Sequence, residues 1–357
     1  MRVALDTHSL YVTRAGTSRY VRGLQRGLRE LNPAGISVSE LAWPVENFGY
    51  RQPGRAAKTL YREAVWAPFV APEILRRQGI QLLHRTTPSL PIGKPGNVRE
   101  IVTLHDLSIL RFPERFRRWQ RWADARRLSL LFRADRIICD SRFTADEAIK
   151  LLGLQASRLE VIPLGHDFDH SDTGTAPAIP GCVLPAAFFL FVGSLEPGKN
   201  LALLKHVYAE ANERGDPLPA LVIVGSRWPG VANEGAADRG WCYLGYQPDS
   251  VLAWLYHHAL ALVFPSRYEG FGLPVLEAMA MGCPVICSRV ASLEEVGGGS
   301  PLYSEMTAGA YGSAMRRISD DEALRKDLSL QGLTRARKFS WRECAAQTVE
   351  VYRTVAG

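Results

Sequence analysis

Glu269 and Glu277, with seven residues between them, flank the run Gly270-Phe271-Gly272-Leu273-Pro274. The stretch reads as a strand ending at Val263-Phe264, a glycine-rich loop, a short helix, and a second strand at Val285-Ile286-Cys287. Pro274 suits the first helical position, where its missing N–H costs nothing. Gly282 and Pro284 close the helix, one as a left-handed cap and the other as a stop. Glu269 then lies in the loop and Glu277 in the first helical turn. Free main-chain N–H groups in such a loop, at a helix N-terminus, suit anions and polyhydroxyl ligands. Phe271, Leu273, Val275 and Leu276 favour burial, and buried carboxylates need hydrogen-bond partners; sugar or ribose hydroxyls would serve. The plainer alternatives are a dipole-favoured Glu277 and a solvated Glu269.

A second stretch, Gly193-Ser194-Leu195-Glu196-Pro197-Gly198-Lys199-Asn200, follows another apolar run. Its two glycines allow close main-chain approach, and Lys199 stands at a helix start, where it can neutralise phosphate. It lacks the spacing of a Walker loop, and a surface lysine after a turn is the plainer reading. His105 ends a third strand, with Asp106 placed to orient its ring. A lone histidine there is more often structural.

Alternating strands and helices must position these groups. In the first half, strands are expected at Arg2–Leu5, Ile36–Leu41, Ile80–His84, Glu100–Leu104, Arg136–Cys139 and Leu159–Pro163. Helices are expected at 19–31 and 143–152, with Asp140-Ser141 capping the second. Residues 43–60 and 85–99, rich in Pro, Gly and basic side chains, read as loops, and 167–185 as a linker. The pattern then restarts with strands at 188–192, 220–224, 241–244 and 259–264, and helices at 200–214 and 249–257. An amphipathic helix covers 341–355. This alternation predicts an α/β protein with parallel sheets covered on both faces. Ligands of such sheets bind beyond the carboxyl ends of the strands, where the loops 6–17, 105–110, 193–199 and 265–273 fall. Two domains are expected, 1–170 and 171–340, facing one another across a cleft, with 341–357 packing back on the first.

A chain of 357 residues exceeds one typical core. Met1–Asp6 reads as a strand rather than a secretory signal. No apolar run reaches the ~20 residues of a membrane span. Six cysteines without close pairing predict reduced cytosolic thiols, not a zinc site or disulfide framework. Residues 1–170 carry 27 Lys/Arg against 17 Asp/Glu, whereas 171–357 carry 16 against 19, so an anionic partner would meet the first half. Segment 111–136 holds nine arginines with interleaved Phe and Trp. It suits either anionic lipid or an ordinary solvated helix. No recognised motif points to nucleic acid.

The run Glu269–Glu277, with Gly193–Asn200 upstream, resembles the signature of family 4 retaining glycosyltransferases. The likeness extends through Gly16-Thr17-Ser18-Arg19-Tyr20, Thr103-Leu104-His105-Asp106-Leu107, Cys139-Asp140-Ser141-Arg142-Phe143, Val161–Gly165 and Leu244-Gly245-Tyr246. It implies the GT-B fold, two Rossmann-like domains, the first binding acceptor and the second a nucleotide-sugar donor. His105, Glu269 and Lys199 would be the catalytic residues. Glu269 would hold the sugar hydroxyls and Glu277 the ribose. Gly270, Phe271, Gly272 and Leu273 would offer N–H groups to sugar and diphosphate. Lys199 would bind the diphosphate, with Gly193 and Ser194 beside it. Gly16 and Thr17 would lie near the phosphates or the acceptor, Tyr246 near the base, and His105 near the sugar. Family members often carry arginines where Ser194 and Gly198 stand, so Arg267 or Arg19 is expected to help Lys199.

The runs at 104–108, 112–114 and 194–201 are similar to bacterial polysaccharide mannosyltransferases. The resemblance therefore implies GDP-mannose as donor, with GDP-rhamnose and UDP-sugars as alternatives. The acceptor would be a saccharide or polyprenyl-diphosphate-linked saccharide, handled in the cytoplasm or at the cytoplasmic face of the inner membrane. No cofactor and no metal are expected, since Lys199 and helix N-termini can hold the diphosphate and no Asp-x-Asp of the metal-dependent kind is seen. An epimerase or phosphorylase on the same fold, or a non-enzymatic binding module, are the competing readings. A nicotinamide dehydrogenase is disfavoured, because no Gly-x-Gly-x-x-Gly follows Arg2–Leu5.

Overall fold

Short runs of β-branched and aromatic residues, bounded by turns, form two six-stranded parallel sheets. The computed structural model describes residues 1–12, 16–43, 54–88, 92–113, 127–171, 176, 184–226, 241–290 and 292–357. The chain divides into two units, residues 1–165 with 340–357, and residues 166–339.

In the first unit the strands are β1 (Arg2–Asp6), β2 (Ser37–Leu41), β3 (Leu82–Arg85), β4 (Arg99–Leu104), β5 (Arg136–Cys139) and β6 (Leu159–Val161). Their order is β2-β1-β3-β4-β5-β6. The chain therefore reverses its direction of winding between β1 and β3. In the second unit, β7 (Phe188–Val192), β8 (Ala220–Val224), β9 (Trp241–Gly245), β10 (Leu262–Phe264), β11 (Val285–Ser288) and β12 (Leu302–Ser304) lie in the order β12-β11-β10-β7-β8-β9. Here the reversal falls between β10 and β7. The apolar run of β7 is buried at every position, as a sheet covered on both faces requires. The α/β class with parallel sheets, expected from the alternation, is the observed architecture.

Ser141 is the N-cap of helix Arg142–Leu152, its hydroxyl accepting from Thr144 N at 3.1 Å. The loop expected over 43–60 is corrected. Helix runs through Gly54–Tyr61, continues as a π-helix over Arg62–Val70, and ends as Ala71–Arg77. The breaker Pro68 is tolerated because the π-helical stretch surrounds it. Residues 44–53 lie outside the described residues, as do most of the linker expected at 167–185 and 114–126 of the arginine-rich segment. Among the described residues no helix is long and apolar enough to cross a membrane. Cys139, Cys283, Cys287 and Cys344 are free and buried, but Cys242 is disulfide-bonded, which corrects the expectation of reduced thiols there. Sequence spacing does not reveal a pairing made in space.

Helix Trp341–Ala356 returns to the first unit and crosses helix Gly16–Leu31 at Gly23 and Gly27. A β-carbon at Gly23 would stand 2.1 Å from the Trp341 ring, and one at Gly27 would stand 2.3 Å from its carbonyl oxygen. One helical turn apart, the two glycines let the backbones approach. By propensity alone Gly23→Ala would stabilise by about 1 kcal/mol. Overpacking dominates, so the expected result is a net loss of about 2 kcal/mol. A melting temperature at or above that of the unaltered protein would contradict this.

Candidate active site

The carboxyl ends of β7 and β10 are adjacent strand ends at the second sheet's reversal point, where open α/β sheets hold ligands. After β7 comes the loop to the 3-10 turn Pro197–Lys199; after β10 comes Pro265–Gly272. The structure brings Lys199 and Glu269 together there. Lys199 Nζ donates to Glu269 Oε1 at 2.5 Å, and Ser266 Oγ donates to the same oxygen at 2.6 Å. Lys199 Nζ also lies 5.5 Å from the Phe264 ring centroid, and its stem runs over Gly193. Both charged side chains are largely enclosed, 16% and 11% exposed, so their attraction is less screened than at a surface.

The main chain around them is fixed from three sides. Arg267 N donates to Gly198 O at 2.9 Å, joining the two loops. Ser292 Oγ donates to Phe271 O at 2.9 Å and Glu269 O at 3.2 Å. Gly272, the N-cap of helix Leu273–Ala280, has φ of 104°, and a β-carbon there would come within 2.5 Å of Leu293. Only glycine meets both demands. Phe271 is buried and Gly270 half-buried, while Ser194 is exposed.

Two expectations for this segment change. The helix begins at Leu273, so Pro274 is its second residue. The N–H that proline lacks would there be one of the unpaired ones of the first turn in any case. Glu277 is the fifth residue, not a first-turn acid. The dipole therefore does not account for it. It is 4% exposed, and Tyr256 OH donates to its Oε2 at 3.1 Å. Tyr246 is exposed and follows edge strand β9, with β8 between it and β7.

In the first unit, the ends of β1, β3, β4 and β5 lie side by side. His105, just past β4, is held at both nitrogens. Nδ1 lies 2.6 Å from Asp140 Oδ2 and Nε2 lies 2.9 Å from Thr86 O. A carbonyl only accepts, so Nε2 carries a hydrogen. Burial, the largest influence, pushes its pKa down, but Asp140's charge and hydrogen bond, the Thr86 carbonyl and Asp106 together raise it. His105 is thus a ring fixed at both nitrogens, with its charged form favoured beside Asp140. Asp106 does not orient the ring. Its Oδ1 accepts from Ser108 N and Oγ, and Asp140 does the orienting. Asp140 belongs to the run Cys139–Phe143, directly before the N-cap Ser141. Tyr20 lies edge-on to His105 at 4.9 Å. Below it, Tyr20 OH, Thr103 Oγ1, His84 and Tyr352 OH form a buried hydrogen-bonded chain, with His84 pushed by burial down to about 3 and so neutral. Gly16 and Thr17 open helix Gly16–Leu31 in this unit, Gly16 exposed and Thr17 half-buried.

Residues 180–332 match the family described as glycosyl transferases group 1, and residues 14–170 match glycosyltransferase family 4. "O-antigen chain mannosyltransferase B" of Escherichia coli is 33% identical over 271 residues, covering 71% of this chain and 70% of that protein. "Serotype-specific mannosyltransferase WbdA" of Escherichia coli is 27% identical over 325 residues, which are 86% of this chain but only 39% of that protein. Among solved structures, sucrose-phosphate synthase from Thermosynechococcus elongatus superposes with a TM-score of 0.73 at 22% identity. The match covers 99% of this chain and 98% of that one, and it speaks to the fold.

Proposed function

Because the chain belongs to the group 1, family 4 glycosyltransferases, we propose that it transfers mannose from GDP-mannose, with retention, to a saccharide or polyprenyl-diphosphate-linked acceptor of a bacterial surface polysaccharide. The class is hexosyltransferase; the donor, the acceptor and the polysaccharide (O-antigen, capsule or exopolysaccharide) are our reading. The observation that carries it is the Lys199–Glu269 pair at the reversal point of the second sheet. The names of the similar mannosyltransferases support the sugar.

In this reading the second unit holds the donor. Glu269 accepts hydrogen bonds from sugar hydroxyls, and Glu277 takes the ribose. Lys199 and the main-chain N–H groups of Gly270–Leu273 take the diphosphate. Gly193 and Ser194 line the phosphates and Tyr246 the base. As the glycosidic oxygen leaves with the diphosphate, negative charge grows there and Lys199 stabilises it. Arg267 is exposed, and its main chain is bonded to Gly198. It supplies the cation that Ser194 and Gly198 do not. The first unit contributes the acceptor side, Gly16 and Thr17, and the His105 ring held by Asp140. The acceptor hydroxyl attacks the anomeric carbon on the face the diphosphate leaves, and a phosphate oxygen takes its proton. No side chain forms a covalent intermediate, and neither cofactor nor metal is invoked.

A thermal-stability screen with GDP, UDP and ADP tests the donor. GDP is expected to raise the melting temperature most; a ligand at 100-fold its Kd adds about 2.7 kcal/mol. A preference for UDP or ADP transfers the reading to another nucleotide sugar, and no response to any of the three overturns it. Incubation with donor alone separates transfer from epimerisation, since an epimerase converts donor without acceptor.

A further inference from the structure

Glu269 Oε1 accepts two hydrogen bonds, from Lys199 Nζ at 2.5 Å and from Ser266 Oγ at 2.6 Å. The two donors differ in kind. The ammonium is carried on a long, flexible stem. The hydroxyl stands one carbon from a main chain that is held in place. Ser266 is 0% exposed. Its carbonyl accepts from Ser288 Oγ at 2.5 Å, and Ser288, also 0% exposed, lies on β11, which pairs with β10. A serine hydroxyl has one hydrogen to donate. Gly198 O at 3.3 Å and Tyr268 O at 3.2 Å are within its reach, but the carboxylate is much nearer and is charged, so it receives the hydrogen.

The difference matters once Lys199 turns to the leaving diphosphate. As the bond from the anomeric carbon to the glycosidic oxygen breaks, its electron pair stays on the diphosphate. The acceptor oxygen bonds to the anomeric carbon, and the acceptor proton goes to a phosphate oxygen. The ammonium then swings from Glu269 towards the new negative charge. Glu269 is only 11% exposed. With the lysine as sole donor, Oε1 would be left bare in an enclosed place, a desolvation cost set against the step. With Ser266 beside it, Oε1 keeps a charge-assisted hydrogen bond throughout, and the carboxylate holds its place.

We propose that Ser266 is a positioning residue for transfer: its hydroxyl keeps Glu269 aligned with the donor sugar while Lys199 passes from Glu269 to the diphosphate. The assignment rests on the glycosyl-transfer reading and adds to it a residue and a division of labour between the two donors. Ser266 acts through Glu269 and takes no part in bond breaking.

The test follows nucleotide release by the full chain from GDP-mannose, or from the sugar nucleotide of whichever base the thermal screen selects, with methyl α-mannoside at millimolar concentration as acceptor. Ser266→Ala should lower kcat roughly tenfold, the loss of one hydrogen bond to a charged group, and change KM for the donor by less than about threefold. Glu269→Gln removes the charge that the hydroxyl serves, so adding Ser266→Ala to it should cost less than about twofold. A serine that only braced the loop would cost the same factor in both backgrounds. Ser266→Thr keeps the hydroxyl and should recover most of kcat. Should Ser266→Ala fail to fold, Ser266→Cys, with its weak S–H donor, carries the same expectation. The proposal is overturned if Ser266→Ala keeps kcat within about twofold of the unaltered protein, if the loss falls on KM, or if the loss is as large on Glu269→Gln. In each of these outcomes the unaltered protein still releases nucleotide, so the glycosyl-transfer reading stands. An unaltered protein that releases none overturns that reading, and this proposal with it.

Discussion

Lys199→Ala is expected to lower kcat by roughly 10²–10³-fold, the range seen when one preorganised group facing a developing negative charge is removed, with little change in melting temperature. The lysine holds no core together. Its ammonium contacts Glu269 Oε1 and the Phe264 ring, and its stem covers Gly193. In the ground state its partner is a carboxylate; in the transition state, on our reading, it is the departing diphosphate. The loss should therefore fall on kcat more than on KM, as for an interaction made chiefly in the transition state. Lys199→Arg should rescue poorly, because a planar fork does not replace a compact ammonium in an enclosed position. Glu269→Ala should also lose most transfer, since it removes the proposed sugar contact and leaves Lys199 without its carboxylate. Arg267→Ala should cost less, about tenfold, because its exposed charge is screened. Near-normal turnover of both Lys199→Ala and Glu269→Ala with a competent acceptor would remove the basis of the site assignment.

The next largest effect is on stability against pH, and it is hidden in the unaltered protein. Burial raises Asp6 from 3.8 to about 6. Its favourable contribution is present below 3.8 and is lost as pH rises through about 6. Burial lowers His8 from 6.5 to about 4. Its contribution is present above 6.5 and is lost as pH falls through about 4. Each is worth about 3 kcal/mol, at 1.36 kcal/mol per pKa unit. The two slopes oppose each other across nearly the same window and largely cancel. Asp6→Asn should uncover the histidine's slope, so that relative to the unaltered protein stability gains about 3 kcal/mol above pH 6 and nothing below pH 4. His8→Gln should uncover the opposite slope, gaining at pH 4 and not at pH 7. Urea unfolding at pH 4, 5, 6 and 7 measures both differences. Profiles parallel to that of the unaltered protein would refute the assignment of these two charges.

The sheets were legible because their strands are short, apolar and covered on both faces, as β7 and β8 are. The Lys199 and Glu269 loops were legible because glycines, proline and charge cluster where a strand gives way to a helix. What was not legible depended on distance in sequence. Asp140 stands 35 positions from His105, and the adjacent Asp106 was the natural partner to expect. Ser292 and Ser266 tie the glutamate loop down through hydroxyl-to-carbonyl bonds that no local pattern announces. The 54–77 helix was obscured by Pro68 and Gly54, whose local preference the surrounding helix overrides. Asp6, Thr7 and His8 looked like the end of a strand. Among the described residues their buried Oδ2, Oγ1 and Nδ1 atoms have no hydrogen-bond partner, which only coordinates can show.

The return of helix Trp341–Ala356 to the first unit bears on how the protein is made. Trp341 sits against Gly23, and Tyr352 closes the hydrogen-bonded chain through His84 to Tyr20. A ribosome delivers residues 1–165 first, but their core lacks these two rings until residues 340–357 emerge. Residues 166–339 have all their own parts earlier. During synthesis the order of completion is therefore inverted, with the later-made unit able to finish before the earlier one. In the interval the glycine-lined face of helix Gly16–Leu31 is left waiting for its cover, a window of exposure that chaperones or slow translation of the middle would prolong.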